Sequence, residues 1–330
     1  MSANDLDNSP EDFDFEAELA THPHDAWFKQ VFSHVPNARA LFHQHLPVEI
    51  SVGLDLDKLQ LLPASFVRTT LQQSHSDLLF SVPSDSGSLL LYLLFEHQTT
   101  VAPAMPLRLL GYMTEIWTRH EKDHGLPLPP ILPLVLHQGP DRWTASTSFD
   151  QLLSHDPTLS DHLLPHLPSF RHLLLDLTQY HPATDEPDET LRIVLHLMKL
   201  AREKQRLLDF FTWLDQTTLQ ISLDLFSRCL LYALHSDQTI DFKDIYNTFQ
   251  KRKELQDTTM SIAQKLRNEG RVEGRVEGRV EGRVEGRIQL LQDLMGDPVT
   301  PDAVLAPLSQ AELQQMFESL QQEYNRRHKR

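Results

Sequence analysis

The sequence predicts an α/β domain followed by an α-helical region, and three observations carry that prediction. Two apolar runs, SDLLFSV (76–82) and SLLLYLLFEHQ (88–98), are joined by the turn-forming stretch PSDSGS, as in a hairpin. An amphipathic segment, 105–125, leads into a further apolar run, PPILPLVLHQG (129–139). From about Asp185 the apolar residues recur at helical spacing over long segments.

The first twenty residues carry seven acids and no Lys or Arg, and read as disordered. They lack the apolar segment of a signal peptide and the basic character of a transit peptide, which sets the expectation of a cytoplasmic protein. HDAWFKQVFSHVPNARALFHQHL then places Trp27, Phe28, Val31, Phe32, Val35, Leu41 and Phe42 at helical spacing, with Pro36 interrupting or restarting the helix. SFVRTTL (near 64–70) is a short strand candidate ahead of the hairpin. MPLRLLGYMTEIWTRHEKDHG reads as a helix that stops at Gly125, and PPILPLVLHQG and FRHLLLDLT (170–178) as buried strands. HPATDEPDE is linker-like. DETLRIVLHLMKLAREKQRLLDFFTWLDQ, ISLDLFSRCLLYALHSD and Asp241 to Arg267 are helical by length and period, and Ser309 with Glu312 forms a capping box for a last helix. The expected layout is a disordered segment 1–21, an α/β domain 22–182, a helical region 185–267, a repeat 268–287 and a C-terminal helical segment 288–330.

No apolar run of the 330 residues reaches the ~18–20 needed to cross a bilayer. Cys229 is the only cysteine, which excludes an intrachain disulfide and a cysteine-based zinc site. The net charge of −16 argues mildly against coating of nucleic acid by bulk attraction, but the charge is uneven, and metal ions offset repulsion at a nuclease site.

The chemistry concentrates in the hairpin. Asp77 opens one strand; Glu96 and Gln98 end the next, in FEHQ. Residues two apart on a strand share a face, so Glu96 and Gln98 point one way and His97 the other. Asp77 can meet Glu96 across the pair. Two carboxylates on one edge form a hard oxygen site suited to Mg²⁺ or Mn²⁺, which can activate a water and stabilise charge on a phosphodiester. Charged residues at strand ends are mostly solvated. The seven apolar residues LLLYLLF, however, mark a buried strand, and a Glu and a Gln that continue it need a reason to be there. The 18 histidines show no H-E-x-x-H or similar ligand spacing.

HDAWFKQVF, SFVRTTLQQSHSDLLFSV, LLLYLLFEHQTT, PLRLLGYMTEIWTRH and ILPLVLHQGPDRW occur in an order that resembles the Rpn family, the recombination-promoting nucleases also labelled YhgA-like transposases. The similarity covers roughly residues 22–180 well and the helical remainder loosely. That family is similar to the PD-(D/E)XK nucleases, so the resemblance implies a restriction-endonuclease-like core of mixed sheet flanked by helices. It implies Asp77 and Glu96 as catalytic metal-binding acids, the His97 backbone carbonyl as a further ligand, Mg²⁺ or Mn²⁺ as cofactor and DNA as substrate. Gln98 is the third catalytic position, standing where many relatives carry Lys; it can orient a water or a phosphate oxygen but supplies no positive charge. His24, Asp25 and Lys29 match the opening helix motif. They are candidates for the border of the site against a plain reading as an N-cap and exposed helical turn. His137 is a further border candidate, with Gln138 beside it, and a structural role is weighed above a catalytic one. The expected activity is metal-dependent DNA endonucleolytic cleavage linked to recombination, mobile elements or phage defence. The alternatives are an accessory protein with a weak or inactive nuclease core, or an interaction module carried by residues 185–330. No second acidic cluster of the kind a DDE strand-transfer site needs stands out.

Five copies of Glu-Gly-Arg between Asn268 and Ile288 form a near-perfect four-residue repeat, EGRV. As a helix it advances ~40° per copy, sets like charges at i,i+4, and carries five glycines that cost ~5 kcal/mol relative to alanine. It reads either as a flexible or partly helical tether or as an association surface, a coiled coil through which the helical C-terminal region forms a homodimer. GRVEGR lacks the G-K-[ST] ending of a P-loop.

Overall fold

A computed structural model of the chain describes residues 14–63, 77–84, 90–153, 160–203, 206–237, 239–305 and 307–328. The described residues divide into two units, one ending at Thr259 and the other beginning at Met260.

The first unit is built on a five-stranded mixed sheet, with strands in the order β1-β2-β3-β4-β5. Before the sheet come three helices and a single helical turn. Helix α1, Phe15–Thr21, starts where Asp14 accepts the Ala17 N–H. This corrects the expectation of disorder through residue 20: acids in the first helical turn complement the helix dipole, and Leu19 is buried. Helices α2, Pro23–Phe32, and α3, Val35–His45, realise the expected pair, with Pro36 in the first turn of α3, where its missing N–H costs nothing. A single turn, α4 (Val48–Ser51), leads to β1, Gln60–Leu61. The strand expected near 64–70 lies outside the described residues.

Strands β2, Asp77–Pro83, and β3, Leu90–Gln98, pair antiparallel, and β1 pairs antiparallel with β2. Helix α5, Met105–His124, then crosses to β4, Ile131–His137, which runs parallel to β3. The helix ends at Gly125, whose φ of 77° suits a residue without a Cβ and whose N–H caps Glu121. The short α6, Ser160–Leu163, precedes β5, Leu173–Asp176, parallel to β4.

Alternation along the strands sorts the side chains onto two faces. On one face Phe95 and Phe80 meet the rings of Phe28, Phe32 and Phe42, with centroids 4.8–5.6 Å apart. On the other, Leu79 and Val135 pack with Met105, Leu109, Tyr112 and Ile116, the apolar stripe of α5.

The unit continues with α7 (Pro182–Asp185), α8 (Glu189–Leu200), α9 (Leu207–Gln216), α10 (Leu223–Ser236) and α11 (Phe242–Thr248). Asp188, Ser222 and Asp241 accept backbone N–H groups at the starts of α8, α10 and α11. Trp27 of α2 stacks on Tyr232 of α10 at 4.9 Å, so the helical region packs on the opening helix. Buried Glu186 joins α3 to this region by accepting from His45 and Tyr180. Burial alone would raise its carboxyl, but these hydrogen bonds, with the Asp188 N–H, hold it below the usual range.

The helix expected from Asp241 to Arg267 is interrupted. Asp215 accepts the N–H groups of Lys251 and Arg252, ending one helix path and starting α12, Lys253–Met295. Its residues through Thr259 close the first unit. The remainder opens the second, with α13 (Asp302–Leu305) and α14 (Gln310–His328). The repeat is helical throughout, the helical alternative of the two readings. Its last apolar positions supply one reason: Val284 and Ile288 pack with Leu305, Leu313, Met316, Phe317 and Leu320. Ser309 and Glu312 form the expected capping box at the start of α14. Among the described residues, no helix is long and apolar enough to cross a membrane.

Candidate active site

The antiparallel register sets Asp77 directly opposite Glu96. Glu96 is fully buried. The same register, carried into the parallel pair, sets Gln98 beside His137.

Three of the expected site groups converge on one point. The Gln98 side-chain nitrogen donates to Glu96 Oε1 at 2.6 Å and to the His97 backbone carbonyl at 2.7 Å. A carboxylate oxygen and a carbonyl oxygen aimed at a single donor form a partial hard-oxygen cradle. Carboxylate and carbonyl oxygens are donor types that suit Mg²⁺ or Mn²⁺. The His97 imidazole is not part of it, because it lies on the opposite face. Among the described residues no three His, Cys, Asp or Glu side chains gather as a ready metal cluster.

Glu96 has a counter-ion that the sequence reasoning missed. Arg108, in the first turns of α5, places Nη2 3.0 Å from Glu96 Oε1. A signal was present: Arg108 sits between Met105 and Tyr112 beside the apolar stripe of α5, where a side chain can reach both the sheet and solvent.

On the far face, His97 anchors a buried polar chain. Its ring stacks on Phe28 at 5.0 Å, its Nδ1 lies 2.9 Å from Asp25 Oδ1, and its Nε2 lies 2.8 Å from Gln138 Oε1. Gln138 turns its nitrogen to the Met198 carbonyl and the Tyr232 hydroxyl, both at 2.7 Å. The Met198 carbonyl can only accept, which fixes the Gln138 amide and leaves its oxygen for His97. The Asp25 carboxylate also only accepts. His97 thus bridges Asp25 and Gln138 through its two ring nitrogens. Tyr232 in turn meets His24 Nδ1 at 2.8 Å, and Arg202 donates to His24 Nε2 at 2.9 Å. Burial first, then the Arg202 guanidinium, pushes His24 down to about 3, so it is neutral, with its proton on Nδ1.

These contacts place the border residues. Asp25 lies behind the site and orients the strand that carries Glu96. His24 is the second residue of α2 after an N-cap at His22, and it is tied to α10, which corrects the reading of this segment as an N-cap and exposed turn. Lys29 is partly exposed on the same helix. His137 donates Nε2–H to the Asp141 carbonyl at 2.8 Å and touches the Trp143 ring, on the Glu96 face. Gln138, weighed only as a strand-end residue, connects the sheet to α8 and α10. That role needed the fold: Met198 and Tyr232 are 60 and 94 residues away.

The family model described as "Putative transposase, YhgA-like" matches residues 22–224. The chain belongs to this family. Among its relatives is recombination-promoting nuclease RpnD of Escherichia coli O157:H7, 39% identical over 118 residues, 36% of this chain and 45% of that protein. Recombination-promoting nuclease RpnA of E. coli strain K12 is 27% identical over 255 residues, 75% of this chain and 84% of that protein. The inactive recombination-promoting nuclease-like protein RpnE of the same strain is 29% identical over 259 residues, 75% and 82% of the two chains. The chain thus spans about half of RpnD and more than four fifths of the other two. No solved structure matches the chain.

Proposed function

We propose that this protein is a metal-dependent endonuclease that hydrolyses DNA phosphodiester bonds, acting in recombination, mobile-element or phage-defence processes. The observation that carries the proposal is the cradle formed by Glu96 Oε1 and the His97 carbonyl around the Gln98 amide nitrogen, with Asp77 directly across the strand pair. The α-β-β-α-β order of α3, β2, β3, α5 and β4 suits a PD-(D/E)XK core.

Asp77, Glu96 and the His97 carbonyl would hold Mg²⁺ or Mn²⁺, which supplies Lewis acidity for water activation and phosphate charge. In the hydrolysis, the water oxygen forms a bond to phosphorus as the bond to the leaving oxygen breaks. One water proton passes to solvent, and the leaving oxygen gains one. Gln98 holds the Glu96 carboxylate and, when its amide turns from it, can orient the attacking water or a phosphate oxygen. The Asp25–His97 contact fixes the end of β3 from behind, so Glu96 and the His97 carbonyl keep their aim.

A second reading is a DNA-binding or interaction accessory with a weak or inactive core. The relative RpnE, whose name calls it inactive, favours it; the presence of both Asp77 and Glu96 favours the enzyme. Supercoiled plasmid incubated with the protein in Mg²⁺, Mn²⁺, Ca²⁺ or EDTA separates the two. Cutting in Mg²⁺ or Mn²⁺ that stops in EDTA, and stops in Asp77→Ala and Glu96→Ala, supports the enzyme. Cutting that survives both substitutions sinks the site assignment, and no cutting under any metal favours the accessory.

A further inference from the structure

We propose that Arg108 is the catalytic cation of this site, the group that binds the phosphate oxygens as charge gathers on them; the proposal rests on the hydrolase reading above. The site's own side chains are otherwise anionic or neutral: two carboxylates at Asp77 and Glu96, and the amide of Gln98. A phosphodiester brings a further negative charge. Gln98 occupies the position from which a lysine could supply the compensating charge, and an amide cannot.

Arg108 reaches the same point from another element. It stands on the helix that follows β3, and its Nη2 lies 3.0 Å from the Glu96 oxygen that Gln98 also contacts. Nη2 also lies 3.6 Å from the Met105 sulfur, a weak acceptor. Nε is buried with no hydrogen-bond partner among the described residues. The side chain nevertheless retains 37% of its exposure, while Glu96 has none. The guanidinium thus bridges a buried carboxylate and solvent, the side from which a polymer must approach. Its fork of five N–H donors matches phosphate geometry.

A bare counter-ion for Glu96 would explain the ion pair equally well, and the two roles part once metal is bound. A cation beside Glu96 then neutralises the carboxylate, so a mere counter-ion becomes dispensable. A phosphate-binding cation does not. Removing one preorganised donor to transition-state charge costs about 10²–10³ in rate.

The test compares wild type, Arg108→Gln, Arg108→Lys and Glu96→Ala for single-turnover plasmid cleavage in Mn²⁺. Mn²⁺ affinity by calorimetry and melting temperature accompany each rate. The expected result for Arg108→Gln is cleavage slowed about 100-fold or more, with Mn²⁺ affinity equal to or tighter than wild type. Arg108→Lys recovers part of the rate. Arg108→Gln cutting at the wild-type rate overturns the proposal and leaves the nuclease reading intact. A rate loss matched by an equal loss of Mn²⁺ affinity also overturns it, since Arg108 then only supports Glu96. Wild type that fails to cut, like Glu96→Ala, removes the hydrolase reading and this proposal together. If Arg108→Gln does not fold, Arg108→Lys carries the test: a rate about tenfold lower with Mn²⁺ binding intact supports the proposal, because ammonium lacks the bidentate fork, and an unchanged rate overturns it.

Discussion

His97 Nδ1 lies 2.9 Å from Asp25 Oδ1, and this pair joins α2 to the strand that carries the candidate active site. His97 is buried, and its other nitrogen faces the Gln138 amide oxygen. Asp25→Ala leaves a buried ring nitrogen without this partner, and such a loss costs about 1–3 kcal/mol. Urea unfolding should show that loss, with Asp25→Asn milder because it can still accept a hydrogen bond. An unchanged midpoint in Asp25→Ala would mean that this contact does not hold α2 to β3.

Gly139 follows the end of β4, where backbone and ring press together. A Cβ there would lie 2.3 Å from the His137 ring and 3.2 Å from the Thr99 carbonyl. His137 cannot simply swing away, because its Nε2 is held by the Asp141 carbonyl. Gly139→Ala is therefore expected to destabilise the protein by about 1–3 kcal/mol, as overpacking does. Because Gln98 is paired with His137, it should also slow any cleavage. Stability equal to wild type would show that this corner is looser than the structure has it.

The pH dependence of stability follows from buried neutral histidines. Burial pushes His172 down to about 4 and His196 to about 4, and burial with Arg202 pushes His24 to about 3. Folded values below the unfolded value of 6.5 mean that the unfolded chain takes up protons first. Their stabilising contribution is full above pH ~6.5 and is lost as pH falls toward the folded values, at about 1 kcal/mol per pH unit per histidine near pH 5. His172→Leu, which removes a buried ring with no hydrogen-bond partner at either nitrogen among the described residues, should flatten the slope between pH 6.5 and 5 by about that amount. A slope unchanged from wild type would assign the effect elsewhere.

Ile288 follows the last EGR copy and is fully buried with Leu305 and Leu313 in the second unit. Ile288→Ala is expected to cost that unit about 2–5 kcal/mol. Hydrogen exchange should then show α14 losing protection while β3, in the first unit, keeps its own. Equal loss in both would mean that the units unfold as one.

Much of this architecture was legible in the chain. The hairpin strands, the α5 crossover and the helical remainder follow from the period of their apolar residues and from Pro36 and Gly125 as punctuation. Asp77 opposite Glu96 was readable because a hairpin's turn fixes its register. Three things were not. Helix α1 hides in an acidic segment whose composition reads as disorder, although Asp14 at its start is an ordinary cap. The break before α12 depends on Asp215, a residue more than thirty positions away. The inward routes of Arg108 and Gln138 are contacts across the fold, and only the odd charge on the α5 stripe gave one of them away. The glycine repeat is marginal as a lone helix on propensity, and tertiary packing at Val284 and Ile288 supports its C-terminal end.

The central claim is that Asp77 and Glu96 form one cation site across β2 and β3. Calorimetric titration with Mn²⁺ tests it most directly. The account predicts one Mn²⁺ site in the wild type that weakens at least about tenfold in Asp77→Asn and likewise in Glu96→Gln, as loss of a charged ligand from a hard-oxygen site requires. Wild type that binds no Mn²⁺, or binding unchanged in either variant, would contradict it.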